Sequence, residues 1–301
     1  MTNTSVNKPK RILITGASGF LGWNLASALR HRHEVVYTYS DHRIDIPKCR
    51  GVKLDLLRPL TIENCFQCFK PDVVIHAAAL ANTGLCEKHP QLAYDINVRG
   101  TDRLLRRLSN PKTLFVYIST DLVFDGQNQP YTERSATNPV NYYGKTKLMA
   151  EQIVRRSWSN HVILRTALMY GACNTIGKGS FLQWMDNTFQ KGDQLTLFSD
   201  EYRTPAYVGD VVKTIQALIN KKLTARIYHI GGPERINRVA FGQKLAQLRG
   251  YDQSLINAVK MSDIETACPR AQDVSLDSSL LQRSLMVHLT PVEQALMAGD
   301  S

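Results

Sequence analysis

The stretch Arg11–Ser40, RILITGASGFLGWNLASALRHRHEVVYTYS, decides how this chain is read. It opens on a short apolar run, Arg11–Thr15, and passes through TGASGFLG. It continues as a helix of about three turns by its apolar spacing and closes on a second apolar run, Glu34–Tyr39. The glycines divide the work: Gly16 allows a sharp turn, Gly19 lets the backbone approach a pyrophosphate, and Gly22 lets helix and strand lie close. An anion then rests on the helix N-terminus, where N–H groups and the helix dipole favour it. Spaced glycines alone can be a tight turn with no ligand. The strand before them, and the helix and strand behind, are the context the motif requires. Ser18, Phe20 and Leu21 share that turn and are expected to face the same ligand.

Working outward, GVKLDL, DVVIHAAA, TLFVYIST and HVILRTALMYG read as further strands, and LAYDINVRGTDRLLRRLS has helical periodicity. Strand alternating with helix argues for an α/β fold, a doubly wound parallel sheet covered on both faces. Residues 1–9 look like a disordered lead-in. After Gly171 the pattern loosens into mixed polar sequence with helical pieces such as RVAFGQKLAQLRG. The expected organisation is a dinucleotide-binding Rossmann domain over residues 10–170, to which 204–231 returns. A smaller C-terminal substrate-binding lobe is expected from 171–203 and 232–301.

With 301 residues, 43% hydrophobic and 21% charged, the composition is that of a soluble globular protein. No apolar run reaches the length of a membrane span and the start, MTNTSVNKPK, is polar, so a cytoplasmic protein with no membrane partner is expected. The net charge of +11 calls for an anionic partner. The cations are spread through NKPKR, RHRH, RLLRR and NKKLTAR without interleaved aromatics, which favours a phosphorylated small molecule over nucleic acid. The six cysteines, Cys49, Cys65, Cys68, Cys86, Cys173 and Cys268, are scattered. Cys65 and Cys68 spell CxxC on an amphipathic helix, with no second pair or HxxxH; both are read as packing residues, and no metal site is expected.

The end of the second strand sets the cofactor. An acidic residue there would bind the ribose hydroxyls of NAD, but Tyr39 is followed by Ser40, Asp41, His42 and Arg43. Ser40 and Arg43 suit a 2′-phosphate, because arginine forks onto phosphate. Asp41, shifted by one or two positions, would suit NADH instead. NADPH is favoured, with NADH open.

In NYYGKTKLMAE, Asn141–Glu151, only Tyr143 has a lysine four residues on, at Lys147. One helical turn puts phenol and ammonium on one face. A nearby cation lowers a phenol's pKa and makes it a better proton donor and acceptor near neutrality. A surface helix with a solvated lysine is the bland alternative. The pair gains weight from the rest of the chain.

TGASGFLG, HAAA, NVRGT, STDLVFDG, PYTE, YGKTKLMAE, RTALMYG and RTPAYVGDVV occur in that order, followed by PRAQDVSLDSS. In these motifs and their spacing the chain resembles the extended short-chain dehydrogenase/reductase family over essentially its whole length. It is most similar to the dTDP-4-dehydrorhamnose reductase branch, which also includes the regulatory β subunit of methionine adenosyltransferase. The resemblance implies that Tyr143 protonates a carbonyl oxygen as hydride arrives from the nicotinamide. It implies that Lys147 lowers that tyrosine's pKa and binds the nicotinamide ribose, and that Thr120 orients the substrate oxygen. It further assigns Asp55 to the adenine, Ala77, Ala78 and Ala79 to the cofactor, and Asn97 to a structural role beside it. Asp121, Phe181 and Arg203 fall to the substrate, Arg203 near its phosphates. A hydroxyl and a phenol converging on one carbonyl stabilise the developing alkoxide, each such donor counting for about a hundredfold or more in rate.

The departures narrow the function. The family's dehydratases follow the threonine with Asp-Glu, whereas Asp121 is followed here by Leu122, so dehydration lacks its base. The tryptophan with which the rhamnose reductases pack the deoxysugar is Leu168 here, and their Val-Asp before the glutamate of CE is Thr83-Gly84. Reductase chemistry survives these changes; the particular sugar does not follow. The expected function is reduction of a keto group on a nucleotide-activated deoxysugar by a monomer or homodimer. A regulatory subunit like that of methionine adenosyltransferase and a nucleotide-sugar epimerase are the alternatives. Other conspicuous residues get structural readings: His76 and His229 as packed strand residues, RLLRR as a solvated helix face, Glu87 as a cap or brace. Phe181 and Trp184, three apart on an apolar face, are read as core or as sugar contacts.

Overall fold

The computed structural model describes residues 8–172, 180–221 and 223–298; most of the expected lead-in, and Cys173, lie outside these. A seven-stranded sheet forms the centre. Its strands are β1 Arg11–Thr15, β2 Glu34–Tyr39, β3 Arg50–Lys53, β4 Val73–His76, β5 Leu114–Thr120, β6 His161–Thr166 and β7 Arg226–Ile230. They lie in the order β7-β6-β5-β4-β1-β2-β3, all parallel. Alternate residues of one strand therefore feed two cores. From β1, Ile12 and Ile14 enter one with the helices Phe20–Leu29 and Val208–Asn220, while Leu13 enters the other with Pro59–Cys68 and Tyr142–Ser157. Both faces are covered, which is why these strands read as continuous apolar runs. Among the described residues no helix is long and apolar enough to cross a membrane.

The glycine turn behaves as its sequence suggests. Gly16 has φ +73°, and a Cβ there would lie 2.7 Å from the Cα of Ala78. A Cβ on Gly22 would fall 2.4 Å from the Gly16 carbonyl oxygen, so only glycine lets the helix sit this close to the turn.

A third core gathers Tyr170, Leu182, Met185 and Phe189 with Phe241, Leu245 and Leu296. It draws on helices Phe181–Gln190, Arg238–Arg249 and Val292–Ala298. Within 232–301, however, helix Ser279–Leu285 sends Leu281 and Leu285 into the core of the main sheet. Chain order therefore does not divide the cores cleanly.

Of the CxxC pair, Cys65 is buried and packs in the second face of the sheet, but Cys68 is exposed at the helix end, outside the core clusters, against the expectation that both pack. His76 is fully buried between Thr15 and Thr101, its ring nitrogens 2.7 and 3.0 Å from their hydroxyls. Burial first, and then Lys147, push it down to about 3, so it stays neutral. His229 is likewise buried, and burial and Arg165 lower it to about 3. In RLLRR, Arg106 and Arg107 do lie on a solvated face, paired with Asp102 and Glu63, while Arg103 donates to the Leu56 carbonyl at 2.7 Å.

Candidate active site

A cleft of about 340 Å³ opens at the C-terminal ends of β1, β4, β5 and β6. Strand order reverses there, between β1 and β4, and the flanking connections leave room for a ligand. Leu21, Ala77, Ala79, Thr120, Asp121, Tyr143, Lys147 and Arg203, all singled out from sequence, line it, as does Leu168.

Tyr143 is pinned by the start of its helix. Asn141 caps it, its side-chain oxygen accepting from the Gly144 N–H at 2.9 Å, and Glu87 accepts from the Tyr142 N–H at 2.9 Å. Two of the N–H groups that a helix start leaves without intrahelical partners are thus satisfied. Glu87 does serve as a cap. One turn on, the Lys147 ammonium lies 4.1 Å from the centroid of the Tyr117 ring. Asn97, on a π-helical turn Asp95–Arg99, accepts from the Leu80 N–H at 2.8 Å and donates to the Leu80 carbonyl and the Thr146 hydroxyl at 3.1 and 3.0 Å. It ties the loop after β4 to the tyrosine helix.

The electrostatics differ from the expectation for Tyr143. Its phenol is held well above the ordinary value by burial, then by Asp121 and Cys86, with Thr120 acting in the opposite direction. Lys147 is not among the groups that act on it; the lysine is itself lowered to about 7 by burial, with Glu151 opposing the fall. Tyr143 thus keeps its proton at neutral pH. That is the form a proton donor needs.

The other end of the cleft is cationic, and most of it was not foreseen. Arg203 donates to Glu201 at 2.8 Å, Arg270 reaches both its oxygens at 2.8 and 2.7 Å, and Arg238 approaches at 3.4 Å. Burial alone would raise the Glu201 carboxyl; the three arginines outweigh it and hold it down at about 2. Arg203 also stands 3.6 Å from Asp121, whose buried Oδ2 has no hydrogen-bond partner. Burial raises Asp121, against Arg203 and Thr120. Phe181 is not on the cleft wall among the described residues. Its ring lies 4.7 Å beneath the Arg238 guanidinium, and Trp184 beside it is 48% exposed. Glu201, Arg238 and Arg270 carry no sequence spacing that would group them. PRAQD, which holds Arg270, was the one usable signal.

The glycine turn, with Gly16, Ser18, Gly19, Phe20 and Gly22, lies beyond the cleft lining, as do Tyr39, Ser40, Arg43, Asp55, Ala78 and Asn97. The helix Phe20–Leu29 starts at Gly19 with no side chain capping it, so its first turn fits the phosphates of a dinucleotide. Ser40 and Arg43 are exposed near it, but Ser40 donates to Asp41 at 3.1 Å. Asp55 accepts from the Leu57 N–H at 2.9 Å and pairs with Arg58 at 3.4 Å.

A glycine-turned parallel sheet whose cleft joins a threonine at a strand end to a tyrosine and lysine one helical turn apart defines an extended short-chain dehydrogenase/reductase. The family model for the RmlD substrate binding domain matches residues 10–298, and the chain belongs to that family. A probable low-salt glycan biosynthesis reductase of Haloferax volcanii is 29% identical over 96% of each chain. Methionine adenosyltransferase 2 subunit beta of Xenopus tropicalis is also 29% identical, over 94% of this chain and 84% of its own. The crystal structure of dTDP-4-dehydrorhamnose reductase from Bacillus anthracis in complex with NADP superposes with a TM-score of 0.85. The match covers 97% of this chain and 99% of that one at 24% identity, a likeness of fold.

Proposed function

We propose that the protein reduces a keto group on a nucleotide-activated deoxysugar, with NADPH as the favoured cofactor. The observation that carries this reading is the meeting of Thr120 and a protonated, half-buried Tyr143 in one cleft, with Lys147 a turn away. A bound nicotinamide supplies the hydride. Tyr143 donates its proton to the carbonyl oxygen, and the Thr120 hydroxyl holds that oxygen as negative charge develops on it. Lys147 orients the cofactor ribose and its charge steadies the phenolate that Tyr143 leaves behind. The arginines on Glu201 neutralise the substrate's phosphates, and a desolvated wall makes each such contact stronger than in water.

Both ends of the cleft support this reading: a proton donor in a buried pocket, and cations where a diphosphate would lie. The test is oxidation of NADPH with dTDP-4-dehydro-6-deoxy-L-mannose made in situ, NADH run in parallel. Turnover that vanishes in Tyr143→Phe establishes the activity. Absence of turnover with this and other nucleotide keto-sugars, cofactor binding being intact, overturns it.

A second reading rests on the likeness to methionine adenosyltransferase 2 subunit beta, as high as that to the glycan biosynthesis reductase. On it, the fold serves a partner enzyme without turnover. Co-purification with a methionine adenosyltransferase catalytic subunit would favour it.

A further inference from the structure

Tyr143, Lys147 and Glu151 follow at four-residue intervals on one face of helix Tyr142–Ser157, and the latter two are 3% and 1% exposed. The proposed chemistry uses the first two and leaves Glu151 without a part. Its carboxylate is nevertheless fixed from two strands. On β5 the Ser119 hydroxyl donates to it in a short hydrogen bond, and on β6 Arg165 grips it at 2.7, 3.0 and 3.3 Å. Lys147, by contrast, forms no ion pair among the described residues, and its ammonium lies over the Tyr117 ring. An ammonium this buried discharges unless a field supports it. The groups around it leave Glu151 to supply that field. On β4, His76 stays neutral; on β5, the Tyr117 phenol is raised by burial and stays neutral; on the same helix, Tyr143 holds its proton.

We propose that Glu151 is a positioning residue: anchored by Arg165 and Ser119, and acting together with the Tyr117 ring face, it keeps Lys147 charged and aimed beside Tyr143. This rests on the tyrosine–lysine reading of the site. Glu151 touches no substrate; it acts through the lysine. At an effective protein dielectric of about 20, a charge roughly a helical turn away still exerts several times the force it would in water. Lys147 already sits near 7, so small losses of support change how much ammonium is present at neutral pH.

The direct experiment follows the Lys147 side-chain resonance by NMR from pH 5 to 10, assigned by its loss in Lys147→Met, and needs no turnover. Glu151→Gln keeps the shape and removes the charge. Its Lys147 midpoint is expected to fall by about one pH unit, a tenfold loss of proton affinity. Tyr117→Leu is expected to lower it as well, and Tyr117→Phe, which keeps the ring, to leave it near the wild-type value. Should Glu151→Gln fail to fold because Arg165 is left unpaired, the double variant Glu151→Gln, Arg165→Met carries no orphan charge, and its midpoint is compared with that of Arg165→Met alone, so that the loss of the arginine's own opposing charge cancels. A midpoint that stays put when the carboxylate is removed overturns the proposal. If the chain reduces its substrate, the alkaline limb of kcat moves with the midpoint. A shifted midpoint in a chain with no turnover leaves the Glu151 assignment standing and sinks the reductase reading alone.

Discussion

The two ends of the cleft are built in opposite ways. At the tyrosine end, Tyr143 and Lys147 come from a single helix, one turn apart, and the helix start is locked by Asn141 and Glu87. At the arginine end, Arg203, Arg238 and Arg270 arrive from a short strand, a helix and a C-terminal loop, and meet on Glu201. Local geometry fixes one end and tertiary contact the other. On the proposed function, chemistry that tolerates little displacement would sit where the backbone itself sets the spacing, and recognition where side chains are hung from a shared carboxylate.

The largest expected effect falls on the tyrosine end. Tyr143→Phe should lower kcat by about a hundredfold to a thousandfold while the dissociation constant for NADPH, read by nicotinamide fluorescence, hardly moves. A variant with near-normal kcat would end the contrast, because the local constellation would then do no chemistry.

Lys147→Met should also lose turnover, yet melt at a higher temperature, since a buried lysine lowered from 10.5 to about 7 opposes folding. The unfolded chain binds the extra proton between those values, so this lysine makes stability rise with pH across that window and contributes no slope below it. The variant should lose that rise, which melting curves taken from pH 7 upward would reveal. In the active enzyme, turnover should fall as pH climbs through the lysine's value.

Arg270→Ala tests the other end. It should raise KM for the nucleotide-sugar by roughly tenfold, about 1.4 kcal/mol, with kcat close to normal. A fall in kcat with KM unchanged would place this arginine at the reacting carbonyl. The smallest effect is expected at Arg43→Ala, where NADPH binding should weaken severalfold and NADH binding should not. Equal losses would remove the 2′-phosphate from its role.

The legibility of these regions follows from the same contrast. β1, β2 and the turn between them stand where the residue pattern puts them, because a strand with both faces buried and a glycine that must have positive φ leave few alternatives. Tyr143 and Lys147 were legible from a spacing of four. Arg238 heads a helix that reads as ordinary amphipathic sequence, and Glu201 lies in a polar loop. Nothing short of the folded chain shows that they meet. Phe181 was assigned to the substrate by resemblance, while its apolar helix face suggested core; its ring packs beneath Arg238, an arginine that reaches the cleft. The direction of the Tyr143 shift escaped the sequence for a different reason. Spacing announces a nearby cation but not how deeply both groups are desolvated.

A shared anchor also bears on how such a protein diversifies. Because three arginines share Glu201, exchanging one leaves the other two paired with the carboxylate. On the proposed function, the arginine end can thus drift by single substitutions, while the tyrosine end depends on a helical spacing and a strand-end threonine that must be kept together.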